Sequence, residues 1–481
     1  MFSRKRLVLL SFLATLLLAL VPVSAQDPAN IGVWIAFGTA RLDWTTQKAA
    51  IFNEKFPQYN VVVEGGKAYG ELGTQIALAA EQGNLPAIVH YNEVSTVIAR
   101  DSGNFKSIAD ALGDRTEVNG IPLNADDFVQ PVSAYYTLDG KFTSMPWNAS
   151  SSIMFSNKTI LDAAGVEAPP ATWAEVEAAC EKIMALEAHP TYCFTFPNYG
   201  WFFEQWLAQQ NANIANNDNG RSGMATEVQL NSDAGVALLT WLKDMYNKGY
   251  LYYSGLRDDD SWESVDNAFL PGTEVAMAIY SSSDTAYYTN TGAANGFEVV
   301  ASNLPYNQDA EGGWTGNIIG GGSLWLVNGL TPEQEEGALT FLLWLTNTEN
   351  MAEWHQVTGY FPVRQSSIDL LSTDGWYDAI VANGASQVWL ENPAVEAAKG
   401  SNWFETNPNY IVAAQQVADS QITPATQGAV MGAFPDIRSI VTATIDKVLL
   451  TADADPKTEL DAATTEATAL LEEYNLLSAP E

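Results

Sequence analysis

The sequence predicts an α/β protein made of two regions, each built around a sheet. Three observations carry this. Residues 31–100 alternate strand and helix patterns, in the order β-α-β-α-β, which argues for a parallel sheet with helices on both faces. A second α/β run begins near Met145. Hydrophobic residues make up 47% of the 481, enough to bury a large core and to exclude disorder.

The elements follow in chain order. Residues 1–25 read as a signal peptide: Arg4, Lys5 and Arg6 precede an apolar run over 7–20, and Val23-Ser24-Ala25 supplies small residues for cleavage. The run is shorter than the roughly 20 residues a bilayer span needs. The exported chain then starts at Gln26, with no Cys there to carry a lipid. Residues 31–37 (IGVWIAF) read as a buried strand, 43–56 as a helix, 60–63 as a strand and 71–81 as a helix ended by Gly83-Asn84. A strand over 87–91 (AIVHY) and a helix over 94–100 complete the run. Ligands on such sheets bind beyond the carboxyl ends of the strands, which points to the loop 65–69 and to Asn92-Glu93.

In the second region, 152–155 reads as a strand and 158–164 as a helix. Thr172 and Glu175 have capping-box spacing and predict a helix to about 186. The polar stretch 211–223 reads as a loop. Helix patterns recur over 232–248, 333–347, 408–420 and 435–449, with strands at 275–280 and 323–327. No low-complexity linker divides the regions, so the chain is expected to pass between them several times.

Composition narrows the function. Against 57 Asp and Glu there are 22 Lys and Arg, for a net charge of −35. Such a chain is a poor ligand for nucleic acid or an anionic membrane surface. Two Cys and three His exclude a disulfide scaffold and a Cys/His zinc cluster. Cys180 and Cys193 either pair or stay as small buried thiols; both readings remain open. No serine-hydrolase elbow, His-Glu-x-x-His or phosphate-cradling Gly-rich loop is present. His90, His189 and His355 lack ligand spacing and read as structural. Arg257-Asp258-Asp259-Asp260 reads as a solvated loop. Tyr199, Trp201, Trp354 and Tyr360 stand out as aromatics in polar segments read as loops, where rings can stack on sugar or polyol C–H faces.

Further motifs carry a resemblance. Pro169-Pro-Ala-Thr-Trp173, Gly272-Thr-Glu-Val-Ala-Met277 and Thr358-Gly-Tyr-Phe-Pro-Val-Arg364 resemble the extracellular solute-binding proteins (family 1) of ABC importers. Asn92-Glu93-Val94, Asn148-Ala-Ser150, Ile318-Ile-Gly-Gly-Gly-Ser-Leu-Trp325, Glu353-Trp-His-Gln356 and Phe434-Pro-Asp-Ile-Arg438 resemble the Ugp-type glycerol-3-phosphate subgroup. The resemblance implies a two-lobed periplasmic-binding-protein fold (type II) with a ligand cleft between lobes joined by hinge crossovers. It places lobe 1 at 27–142 plus 316–360 and lobe 2 at 146–305 plus 365–475. It implies capture of glycerol 3-phosphate for an ABC permease's transmembrane subunits, by a monomer, in the periplasm or outside the cell, without catalysis, cofactor or metal.

The ligand positions it implies are Tyr69, Glu93, Ser150, Ser281, Gly321, Tyr360 and Arg438, with Tyr199 and Trp201 flanking the glycerol carbons. Arg438 would take the phosphate. Glu93, repelled by that phosphate, would accept from the hydroxyls at the other end. Tyr199 stands where the subgroup leads one to expect Trp, which opens room for a glycerophosphodiester such as glycerophosphocholine. A neutral oligosaccharide is a further alternative. A secreted glycan-active enzyme is the alternative of a different class.

Loss of the signal peptide removes three positive charges and takes the net charge from −35 to −38. That field opposes an incoming anion, but at about 0.15 M salt it reaches only about 8 Å. Stopped-flow association of an anionic ligand should therefore show no strong acceleration as salt is lowered.

Overall fold

Two sheets organise the residues that the computed structural model describes, 27–478. The signal-peptide reading at 1–25 lies outside them. The first sheet starts with β1 (Ala29–Ala36), α1 (Thr39–Lys55), β2 (Tyr59–Lys67), α2 (Tyr69–Gln82) and β3 (Ile88–Asn92). β1 runs parallel to β2 on one side and β3 on the other. β4 (Phe105–Lys106) and β5 (Met145–Ser150) follow.

The second sheet holds β6 (Ser152–Asn157), β7 (Tyr192–Thr195), β8 (Leu251–Tyr252), β9 (Val275–Ser281) and β10 (Val299–Asn303), in the order β8-β7-β9-β6-β10. Its helices include α3 (Trp173–Met184), α4 (Gly200–Gln209), α5 (Asp233–Asn247) and α6 (Asp258–Phe269). The chain returns through β11 (Gly320–Val327), which lies antiparallel to β3 and, on its other side, to β4 and β5. α7 (Pro332–Leu345), α8 (Thr348–Thr358), α9 (Phe434–Leu450) and α10 (Pro456–Leu477) complete the labelled elements. This is the two-lobed α/β architecture.

The crossovers fall at particular residues. β5 belongs to the first sheet and β6 to the second, so the chain changes lobes at Ser151. The sequence reading put residues 146–150, Ser150 included, in the second lobe; their backbone pairs in the first sheet. Every residue of β5 and β6 is buried, so no exposure pattern marks the change of sheet. The segment after 365, also read as second lobe, first docks on α1 and α8: Val388 N–H donates to Gln47 Oε1 and Ser386 N–H to Glu353 Oε1. It reaches the second sheet at Asn409, whose Oδ1 accepts from Ala301 N–H at 2.9 Å, and again at Gln416, whose Nε2 donates to Ser152 O at 2.8 Å.

The predicted capping box is present. Thr172 Oγ1 accepts from Glu175 N–H, and Glu175 Oε2 accepts from Thr172 N–H, both at 3.2 Å. Three readings are corrected. Trp201 is not in a loop but in the first turn of α4; Tyr199 stays in the loop before it, at the extended N-cap position. α4 is buried on every side, so it shows no amphipathic period to reveal it. Asp258, Asp259 and Asp260 are not a solvated loop but the first turn of α6, where acids suit the positive end of the helix dipole. Trp354 lies in α8. Cys180 on α3 and Cys193 on β7 form a disulfide.

α8 is pinned by a fully buried ion pair. Lys48 Nζ lies 2.7 Å from Glu353 Oε2, and both side chains are 0% exposed. Trp44 Nε1 donates to Glu353 Oε1 at 3.0 Å, and Lys48 donates also to Gly384 O. Removing one partner strands the other's charge in the core. Lys48→Met should cost about 3–5 kcal/mol of stability by denaturant unfolding.

Candidate functional site

A cleft of about 440 Å³ opens between the lobes, and all nine of the predicted ligand residues line it. Tyr69 comes from the start of α2, Glu93 from the end of β3, Ser150 from the end of β5 and Ser281 from the end of β9. Gly321 lies on β11. Its φ is +107°, and a Cβ there would fall 2.1 Å from Asn148 O, so only glycine fits. Tyr360 follows Gly359, which ends α8 in the left-handed region at φ +98°. That turn aims Tyr360 into the cleft, and His355 Nδ1 against Tyr360 O at 2.8 Å holds the turn.

One charge arrangement differs from the sequence reading. Arg438 and Glu93 are not at opposite ends. Arg438 Nη2 donates to Glu93 Oε1 at 2.8 Å. Glu204, on α4, takes Nε (to Oε1 at 2.5 Å) and shares Nη2 (to Oε2 at 2.9 Å), so Nη1 lies outside these pairs. Arg438 is 4% exposed, Glu93 5% and Glu204 7%. Burial works against the arginine's charge, but the Glu204 and Glu93 carboxylates outweigh it and raise the guanidinium's pKa. Burial also pushes Glu204 up, against the pull of Arg438. Arg438 is thus committed to two carboxylates, and the triad carries a net charge of −1.

A second arginine lies in the same cleft. Arg41, on α1, reaches Asp284 Oδ1 at 2.8 Å and Ser283 O at 3.1 Å. Its guanidinium carbon lies 5.2 Å from the Tyr360 ring centroid and 5.1 Å from that of Phe37. Here too burial is outweighed by the neighbouring acid, and the pKa rises. Both arginine pairs cross from one lobe to the other.

The hydroxyl groups of Tyr69, Ser150, Ser281 and Tyr360 line the cleft, and the Tyr360 ring lies beside Arg41. Ser281 Oγ accepts from Ser283 N–H at 3.2 Å, which leaves its own proton free. Around Arg438 the wall is aromatic. Tyr199 lies under the guanidinium at 5.5 Å and meets Trp262 at 5.6 Å, and Trp262 meets Tyr280 edge-on at 4.8 Å. Trp201 is 3% exposed and its Nε1 donates to Ile319 O at 3.3 Å, so it forms the floor beneath Gly320. Asp259 and Lys67 stand exposed at the rim. Among the described residues, no group of three His, Cys, Asp or Glu could hold a metal.

Arg41, Glu204, Trp262, Tyr280 and Asp284 were missed from sequence. Glu204 had a signal: a lone acid inside Phe-Phe-Glu-Gln-Trp must be paired if that run is buried. Arg41 follows the carboxyl end of β1, an end that the strand-end rule covers but that the sequence reading did not use.

Residues 47–385 match the model of the bacterial extracellular solute-binding protein family. The chain belongs to that family. This solute-binding protein is 29% identical over 462 residues to the sn-glycerol-3-phosphate-binding periplasmic protein of Pectobacterium atrosepticum, covering 95% of this chain and 94% of the relative. It is 30% identical over 457 residues to the protein of that name from Escherichia coli, covering 94% of each. Among solved structures it resembles UgpB from Mycobacterium tuberculosis in complex with glycerophosphocholine, with TM-score 0.68, 20% identity, and coverage of 93% of this chain and 99% of that one. It likewise resembles the cyclic α-maltosyl-1,6-maltose binding protein of Arthrobacter globiformis, with TM-score 0.68, 20% identity, and coverage of 93% and 100%. These two likenesses show the fold.

Behind Tyr280 in the solute-binding protein lies Asp266, which accepts from Tyr288 Oη at 2.8 Å. Burial pushes this carboxyl up to about 6, with the Tyr288 hydroxyl pulling the other way. An acid raised on folding binds its proton more tightly in the folded state, so stability falls as pH climbs from about 4 to about 6. Asp266→Asn should therefore raise the melting temperature at pH 7.5, and the gain over wild type should vanish near pH 4.

Proposed function

We propose that this protein captures glycerol 3-phosphate outside the cytoplasm and delivers it to the transmembrane subunits of an ABC importer, catalysing nothing. The observation that carries this reading is the two-ended cleft. Glu93 accepts and Arg438 donates, side by side, which suits the vicinal hydroxyls of a glycerol end. The Tyr69, Ser150, Ser281 and Tyr360 hydroxyls, with Arg41 behind them, suit the phosphate end. Gly321 lets the ligand approach the backbone closely. Tyr199 and Trp201 bound the carbon chain. The phosphate is thus assigned away from Arg438, because a dianion there would face Glu93 and Glu204.

Delivery requires that the permease tell a loaded protein from an empty one. Ligand groups that touch both lobes supply this, since they favour closure by the contacts that only the closed state makes. Export by a cleaved signal peptide and function as a monomer belong to the same reading. The glycerol-3-phosphate-binding relatives and their periplasmic site support it.

One observation favours a second reading. Trp262 lines the cleft beside Tyr199, and Asp259 stands at the rim. An aromatic face with an acid beyond it suits a cationic headgroup, and hence a glycerophosphodiester bound with its headgroup, not its glycerol, at this wall.

Isothermal titration of refolded, ligand-free protein tests these readings. Glycerol 3-phosphate should bind at about micromolar Kd, near −8 kcal/mol. Arg41→Ala should weaken it by about 1.5–3 kcal/mol, the range for a hydrogen bond to a charged group. Binding of glycerophosphocholine alone would favour the diester. Heat from maltose alone would overturn both phosphate readings.

A further inference from the structure

The proton positions behind Tyr69 are fixed by a chain of hydrogen bonds that starts at the backbone. Ala36 N–H donates to His90 Nδ1 at 3.3 Å. A ring nitrogen that accepts carries no proton, so the neutral ring carries its proton on Nε2. The ring is neutral because burial lowers its pKa to about 3. Nε2 lies 2.9 Å from Asn148 Oδ1 and donates to it. That fixes the orientation of the Asn148 amide: its Nδ2 faces Tyr69 and donates to the phenol oxygen at 3.0 Å. His90 Nε2 also lies 3.3 Å from the same oxygen. Both neighbours of the phenol therefore offer protons. The hydrogen on Tyr69 has nothing to donate to in the wall and is turned toward the cleft.

We propose that His90 and Asn148 are positioning residues that make Tyr69 an obligatory hydrogen-bond donor to the ligand, so that this end of the cleft selects a group that only accepts, such as a phosphoryl oxygen, over a hydroxyl. The inference rests on the phosphate-ester reading and deepens it. Neither residue needs to touch the ligand. His90 is 1% exposed and Asn148 1%, so both act through Tyr69. A sugar or polyol hydroxyl could meet Tyr69 only as an acceptor, and its own proton would then have to be placed elsewhere. An ionised phosphoryl oxygen has no proton to place and gains the charge-assisted bond.

The test is a double-mutant cycle read by titration with glycerol 3-phosphate and glycerophosphocholine. His90→Leu removes the donor to Asn148, so its amide can rotate to offer Oδ1 to Tyr69 and draw the phenol proton away from the cleft. Affinity for the phosphate ester should fall about tenfold. His90→Gln keeps an acceptor for Ala36 and a donor for Asn148, and should bind within about twofold of wild type. In the Tyr69→Phe background, His90→Leu should have no further effect. Unchanged affinity in His90→Leu, or an equal loss with Tyr69 already gone, would overturn the inference and leave the phosphate-ester reading standing. A wild-type protein that binds neither ester would overturn both. Thermal melts of each variant establish that the fold persists. Should His90→Leu not fold, failure of His90→Gln to keep wild-type affinity would serve as the overturning result.

Discussion

The contact between Arg438 and its two carboxylates organises the cleft. Taking one guanidinium and two carboxylates out of water is costly, and the arrangement holds only because every partner is in place. Three parts of the chain meet to make it: α9 supplies the arginine, α4 one acid and the turn after β3 the other, with Tyr199, just before α4, beneath the guanidinium. The two acids differ in role. Glu204 belongs to the same lobe as Arg438, whereas Glu93 lies across the cleft. On the proposed opening of the lobes, Arg438 would keep Glu204 and lose only Glu93, so its guanidinium would stay oriented and less side-chain entropy would remain to be lost when ligand arrives.

The second cross-cleft pair has a different character. Arg41 and Asp284 are each 24% exposed along the side chain, against 5% for Arg438 and 6% for Glu93, so this pair is less deeply buried than the first. Separating it costs less, and Arg41 can exchange part of its hold on Asp284 for an anion while Asp284 keeps contact with water. The cleft therefore has one firm end and one exchangeable end. This matches a ligand with fixed hydroxyls at one end and a charge at the other.

Much of the fold was legible because its strands and helices keep regular patterns. β1, β3 and their helices follow the alternation that residues 31–100 display, and Thr172-x-x-Glu175 marks a helix start that the structure contains. α4 was hidden because burial on all sides erases the period that reveals a surface helix. The change of sheet at Ser151 was hidden for the same reason. The nine residues carried over by resemblance line one cleft, but their charges were misjudged. A sequence gives residue types and not partners. Arg438 looks like a free cation until Glu204, 234 positions earlier, is seen against it. His90 read as structural, and it is buried; what sequence could not show is which of its nitrogens carries the proton.

The cleft's selectivity has to be reconciled with its charges. Arg438, Arg41 and Lys67 face Glu93, Glu204, Asp259 and Asp284, so three cations stand against four anions, and the chain as a whole is strongly acidic. On the proposed phosphate-ester reading, net charge cannot then be what draws or holds the ligand. What remains is the direction of dipoles at close range. A hydroxyl is neutral and can point either way, so it discriminates only if its proton is held on one side. Buried hydrogen-bond networks do this well, because in a low-dielectric wall a misdirected proton costs more than in water. The backbone N–H of Ala36 begins such a network, and Tyr69 ends it at the ligand. A site can in this way prefer an anion while carrying no excess positive charge, and without depending on a field that an acidic surface would cancel.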